Sequence, residues 1–234
     1  VVVGRALLAD FAHRLCHGLA EAQTHGCALI VTHHPLICQP VRAVSDESFT
    51  GENLLWLSEN SIAAVNLHTN LDCAPGGVND ILAKTLGLTD ISVLDPMGQD
   101  AQGRDYGLIR TGTVEPCALR AFAAHVKQTL ACPGVRFADG GKPVRQVAVG
   151  GGSCGSELEA VIAAGCDTFV TADLKYNHFE EAKYRGLNLI DAGHFETENP
   201  VCTYLADILR TAFPELEVYI SRTHRDETQF LTNG

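Results

Sequence analysis

Ten histidines are spread over the 234 residues, and three groups of them stand where a short apolar run gives way to a polar turn. The first is Val31-Thr32-His33-His34-Pro35. The second is Asn66-Leu67-His68-Thr69-Asn70-Leu71-Asp72. The third is Asp191-Ala192-Gly193-His194-Phe195-Glu196-Thr197-Glu198. In open α/β sheets the carboxyl ends of strands are where ligands bind. Imidazole and carboxylate donors together suit Zn, Mn, Fe or Ni better than Mg or Ca. A lone His-His or H-x-x-x-D arises often by chance, but three complementary segments in one context point to a metal. The five or six N/O donors they offer exceed the four of a structural zinc site, so two ions bridged by a carboxylate and a water are expected.

Spacing sets conditions on the backbone. Adjacent residues on a strand point to opposite faces, so His33 and His34 must leave the strand before both can face one site. Pro35 helps by biasing His34 away from the helical region. His68 with Asp72, and His194 with Glu198, are four residues apart, which on a helix puts both members on one face. For the last pair an alternative stays open: Thr197 caps a helix beginning there, with Glu198 in its first turn.

A fourth feature is Gly150-Gly151-Gly152-Ser153-Cys154-Gly155-Ser156, between an apolar run at Val144 to Val149 and a helix expected near Glu157. Gly150, Gly152 and Gly155 match G-x-G-x-x-G, with Asp173 as the acid further on. The match fits a nicotinamide dinucleotide site. It also fits a turn whose Gly151, Gly152, Ser153 and Gly155 receive a substrate phosphate, or a purely structural turn.

The elements that must carry these residues alternate between strand and helix. Strands are expected at Ala6 to Leu8, Ala28 to Val31, Ile62 to Val65, Tyr106 to Thr113, Val144 to Val149, Thr168 to Val170, Leu187 to Ile190 and Val218 to Ser221. Helices are expected at Phe11 to Gln23, Asn53 to Glu59, Asn79 to Leu86, Ala118 to Leu130, Glu157 to Ala164, Phe179 to Tyr184 and Val201 to Phe213. The alternation implies α/β layers with a mainly parallel core. Pro96 to Arg104 holds Pro96, Gly98 and Gly103 and little apolar content, so the boundary is expected there: a first domain over 1–97 and a second over 98–234 that supplies His194 and Glu198.

Composition bounds the rest. Hydrophobic residues make up 46% and charged residues 19%, a globular balance. Lys and Arg total 17 against 28 Asp and Glu, a net charge of -11, which argues against nucleic-acid binding as the main task. No apolar run reaches membrane-spanning length. Nine scattered cysteines without C-x-x-C read as reduced thiols in a cytoplasmic protein. The opening Val1-Val2-Val3-Gly4-Arg5 does not look like a signal peptide, and the N-terminal edge of the first domain is expected to be incomplete.

At these segments the chain resembles a known family, the Nif-three-like dinuclear metal centre proteins, also described as GTP cyclohydrolase I type 2 homologues. The resemblance runs from about Ala6 to the last strand. It is carried by Ile30-Val31-Thr32-His33-His34-Pro35-Leu36, by Asn66 to Asp72 with Gly76-Gly77-Val78-Asn79-Asp80, and by Asp191 to Glu198. Tyr106-Gly107-Leu108-Ile109-Arg110-Thr111-Gly112 and Thr171-Ala172-Asp173-Leu174-Lys175-Tyr176 add to it. It implies two linked α/β domains with mainly parallel sheets, two divalent ions in the cleft between them, and a homohexamer. It implies metal ligands at His33, His34, Asp72, His194 and Glu198, with Glu198 bridging and His68 either supporting the ligands from behind or transferring protons. It further implies the compact type, without an inserted domain, and a hydrolase acting on GTP or another phosphate-bearing small molecule. A metal-binding regulator without turnover and a nicotinamide-dependent oxidoreductase are the alternatives.

Overall fold

The computed structural model of the chain describes residues 4–9 and 15–231, with side chains for 4–8 and 19–231. In chain order the elements are β1 (Arg5–Ala9), α1 (Leu15–His25), β2 (Leu29–Thr32), α2 (Phe49–Glu59), β3 (Ala63–Asn66), α3 (Thr69–Cys73), α4 (Val78–Thr85), β4 (Thr89–Leu94), β5 (Gly98–Gln99), β6 (Asp105–Tyr106), β7 (Ile109–Cys117), α5 (Leu119–Thr129), β8 (Arg136–Ala138), β9 (Val144–Val149), α6 (Leu158–Ala163), β10 (Thr168–Thr171), α7 (Tyr176–Tyr184), β11 (Asn188–Asp191), α8 (His194–Glu198), α9 (Pro200–Ala212) and β12 (Glu217–Ile220). The α/β alternation is as the sequence implies. The start of the expected first helix, with Phe11, lies outside the described residues. Among those described, no helix is long and apolar enough to cross a membrane.

Contacts divide the chain into two units: residues 1–71 with 202–225, and residues 72–201 with 226–234. The division therefore does not fall at 97/98. The expected linker carries β5, which pairs with β6 just beyond it, and lies inside the second unit. The reason is long-range pairing that local composition does not reveal. β12 pairs parallel with β1, Ala6 opposite Val218, which returns the end of the chain to the first sheet. α4 meanwhile contributes Leu82, Ala83 and Leu86 to the second unit's core.

The first unit is a four-stranded sheet in the order β12-β1-β2-β3, parallel throughout. Both faces are covered, as such sheets require. Alternation along β1 sends Leu7 to a cluster with Leu19, Ile30 and Leu57, and Leu8 to one with Val31, Ala206 and Val218. α2 starts earlier than expected because the Ser48 hydroxyl accepts the Gly51 N–H at 3.1 Å, an N-cap. Gly51 is required there, since a Cβ would stand 2.0 Å from Ser45 O.

The second unit is built on a six-stranded sheet, β4-β7-β9-β10-β11-β8. Its centre, β9-β10-β11, is parallel, while β4, β7 and β8 pair antiparallel. Of the antiparallel strands β7 was expected, whereas the two edge strands β4 and β8 are ones the sequence reading omitted. β4 is exposed or half-buried along its length and shows no apolar run, and β8 has only three residues. Val147 and Val149 face one core with Phe122, Val126 and Ile190. Ala148 faces the other, with Leu158, Phe169 and Leu189.

Candidate metal centre

In the first unit β2 and β3 run side by side, Thr32 opposite Asn66, so the turns after them emerge together. Side chains stitch those turns. Asn66 Nδ2 donates to Thr32 Oγ1 at 2.5 Å, and Thr32 Oγ1 donates to His34 O at 2.8 Å. The strand ends at Thr32, which frees His33 and His34 from strand alternation as the sequence required. Their rings lie 5.2 Å apart, and the His68 ring is 5.4 Å from His33 and 5.2 Å from His34. His33 is buried, with its Nδ1 2.6 Å from Leu67 O. A carbonyl only accepts, so Nδ1 carries the proton and Nε2 is the basic nitrogen. Three imidazoles thus stand in one cluster, with His68 the exposed member.

In the second unit His194 opens α8 and Glu198 closes it. The helical spacing brings His194 Nε2 to 3.1 Å from Glu198 Oε1. The alternative with Thr197 as an N-cap is corrected: Gly193, at φ 88°, precedes the helix. The Thr197 hydroxyl instead donates back to Gly193 O at 2.8 Å and accepts the Gly152 N–H at 3.0 Å. The other imidazole nitrogen of His194, Nδ1, donates to Asp173 at 2.7 Å. Burial alone would lower the His194 pKa, but its bonds to Asp173 and Glu198 outweigh that and hold it at about 10. The same bond keeps the Asp173 carboxyl below its usual range, against the effect of burial.

Asp72 is buried on α3, and its backbone is fixed by neighbours. Asn79, fully buried, donates to Asp72 O at 3.3 Å and to Leu108 O at 2.6 Å, and accepts the Gly151 N–H at 2.6 Å. Arg110, also buried, reaches Asp80 at 2.5 Å, Gly107 O at 2.6 Å, Cys73 O at 3.1 Å and Ala74 O at 3.2 Å. It locks the segment that follows Asp72.

Of the three readings open for the glycine turn, its hydrogen bonds fit the structural one. The N–H groups a phosphate would use at Gly151, Gly152 and Cys154 already reach Asn79, Thr197 and Thr171. Gly155 is buried and Ser153 is exposed. Glycine is needed at 152, where φ is +63° and a Cβ would stand 2.2 Å from Glu198 Oε1 and 3.0 Å from His194 Nε2. The turn lets the backbone pass close behind those two side chains. The buried Cys154 beside it is pushed up to about 12, by burial first and then by the charges of Asp72, Glu157 and Glu198.

Each unit's donor set fits a divalent cation of the imidazole-binding kind. One offers a cluster of imidazoles, one of them with Nδ1 turned to a backbone carbonyl, and the other a carboxylate-backed imidazole with buried carboxylates. Sequence reasoning placed Asp173 only in the dinucleotide match and Thr197 only as a helix cap, and gave no site role to Asn79 or Arg110. All four stand in the quoted family-like stretches, but their partners lie far away in sequence.

Comparisons with known proteins agree with this architecture. The family model described as Duf34/NIF3 (NGG1p interacting factor 3) matches residues 16–227. A Streptomyces coelicolor protein named GTP cyclohydrolase 1 type 2 homolog is 39% identical over 88% of this chain and 75% of its own length. A Helicobacter pylori protein named GTP cyclohydrolase 1 type 2 is 27% identical over 79% of this chain and 70% of its own. The fold matches that of a Bacillus cereus protein related to NIF3, with a TM-score of 0.86 at 24% identity over 97% of this chain and 89% of that one. A Staphylococcus aureus hypothetical protein matches with a TM-score of 0.85 at 27% identity, over 98% and 87%. With two α/β units, histidine clusters at the strand ends and a model match along nearly the whole length, the chain belongs to the Duf34/NIF3 family.

Proposed function

We propose that this protein is a hydrolase built on a dinuclear metal centre. In this reading His33 and His34 of the first unit, and Asp72, His194 and Glu198 of the second, would hold two divalent ions, Zn, Fe, Mn or Ni, and Glu198 would serve both. One observation carries it. Buried His33 and half-buried His194 each turn Nδ1 to an oxygen acceptor, Leu67 O for His33 and Asp173 for His194, so Nε2 is the ligating nitrogen in both. His33 and Glu198 are buried and His34 is half-buried, which suits donors that must hold an ion against water.

Ions of this kind lower the pKa of a bound water towards neutrality and polarise a substrate atom. His68, exposed beside His33 and His34, takes up and returns protons as substrate arrives. The relatives' names suggest GTP or a similar phosphate-bearing compound. For GTP the reaction is water addition at C8, opening of the five-membered ring, and departure of C8 as formate after a second water adds. Assembly as a homohexamer belongs to the same reading, and light scattering reads it. A cytoplasmic location belongs to the same reading, since the nine cysteines are scattered without C-x-x-C.

The test is elemental analysis of the purified chain together with GTP consumption before and after chelation. Two ions per chain, with consumption lost to chelator and restored by metal, is the expected result. Bound metal without consumption of GTP removes the enzymatic part and leaves a metal-holding protein. No metal above background overturns the reading.

A further inference from the structure

The residue behind His194 is held in a conformation that local forces oppose. Asp173 has φ +53°, the left-handed region that non-glycine residues avoid and that costs about 1–3 kcal/mol when enforced. Its neighbours on both sides are pinned. Ala172 N donates to Gly152 O at 2.9 Å, and Leu174 N donates to Asp191 Oδ2 at 3.1 Å. The Asp191 carboxylate also accepts the Gly193 N–H at 3.3 Å, just before His194, and pairs with Arg136. One carboxylate thus fixes the residue after Asp173 and the residue before His194. The product of this bracing is a single contact, the Asp173 carboxylate accepting the His194 Nδ1–H at 2.7 Å.

We infer that Asp173 is a positioning residue, braced in a strained backbone to keep the proton of His194 on Nδ1 and to present Nε2 as the metal-binding nitrogen. The inference rests on the metal reading above and deepens it. An imidazole has two tautomers of similar energy, and only the one with a bare Nε2 can ligate through that atom. A carboxylate on Nδ1 selects that tautomer, fixes the ring plane and raises the basicity of Nε2. Glycine would meet this backbone requirement at lower cost, and aspartate adds to it a carboxylate that reaches His194.

That last point supplies the test. Asp173→Gly removes the carboxylate and relieves the backbone, and Asp173→Asn keeps a weak acceptor in a residue tolerant of this φ. Both variants can adopt this φ, so folding is checked by thermal unfolding, and the midpoint is expected to fall only by the loss of the bond to His194. Zn(II) affinity of the full chain is measured by competition with a chromophoric chelator. The expected loss is about 10–100-fold for Asp173→Gly and smaller for Asp173→Asn. The second readout needs no metal. In the metal-free chain the His194 Nδ1–H should give a slowly exchanging low-field proton resonance that Asp173→Gly abolishes. Zn(II) affinity within twofold of the parent in both variants, or no such resonance in the parent, overturns the inference while the metal reading stands. A parent chain that takes up no Zn(II) overturns both, and that outcome is read before any variant is made.

Discussion

Replacing Gly152 by Ala tests whether the glycine turn serves the metal ligands or a phosphate. Two costs follow from the geometry. The first is backbone strain at φ +63°, about 1–2 kcal/mol for a residue with a Cβ. The second is steric: the new Cβ stands 2.2 Å from Glu198 Oε1 and 3.0 Å from His194 Nε2. Carbon and oxygen need well over 3 Å, so the carboxylate must retreat by roughly 1 Å or the turn must open. A displacement of this size at a ligand should cost about 10–100-fold in metal affinity, the range seen when a ligand loses its support. Gly165→Ala is the control, since φ there is +77° with nothing within 4 Å of the new Cβ. It carries the strain without the clash. Thermal midpoints should fall in both variants, whereas Zn(II) affinity by chelator competition should fall only in Gly152→Ala. Unchanged affinity in Gly152→Ala, with a stability loss equal to the control, would refute the reasoning. It would return the turn to the role of a phosphate cradle.

Other consequences can be checked with simple variants. Arg110→Met strips a buried cation from Asp80 and three backbone carbonyls and should cost about 3–5 kcal/mol in urea unfolding; a loss under about 1 kcal/mol would show that the network is not needed. Glu198→Gln should abolish metal uptake, because an amide cannot neutralise two cations, while His68→Gln should leave most of it and depress turnover; equal metal loss would make His68 a ligand. Glu21 on α1 accepts the Ser221 hydroxyl at 2.7 Å, the Arg222 N–H at 2.9 Å and the Thr223 hydroxyl at 2.9 Å. These bonds outweigh burial and lower its pKa below 4.5. Its stabilisation is therefore complete above about pH 4.5 and is lost as pH falls through the depressed folded value. Glu21→Gln should lower the thermal midpoint at pH 7 and flatten the acid limb below pH 4.5, and a parallel acid limb in the variant would contradict the assignment.

Much of this was legible in the residues alone. Short apolar runs marked β1, β2, β9, β10 and β11 closely, because strands buried on both faces leave an uninterrupted signature. The breaks after them located His33, His34, His68 and His194, since turns carry the polar residues that strands cannot. The spacing of His194 and Glu198 already contained their shared helical face. Tertiary structure alone decided the rest. The pairing of β12 with β1 joins the two ends of the first unit, and no local pattern records which strand lies beside which. β4 and β8 escaped notice because edge strands are half exposed and lose the apolar run. The glycine turn read as an anion site because sequence shows its N–H groups without showing that Asn79, Thr197 and Thr171 already engage three of them. Asp173 likewise became the partner of His194 only through the alignment of β10 with β11. Residue type and spacing fix what a side chain can do and which way it leaves its own element. Partners come from contacts between distant segments, which exist only once burial of the whole core has offset the entropy of bringing them together.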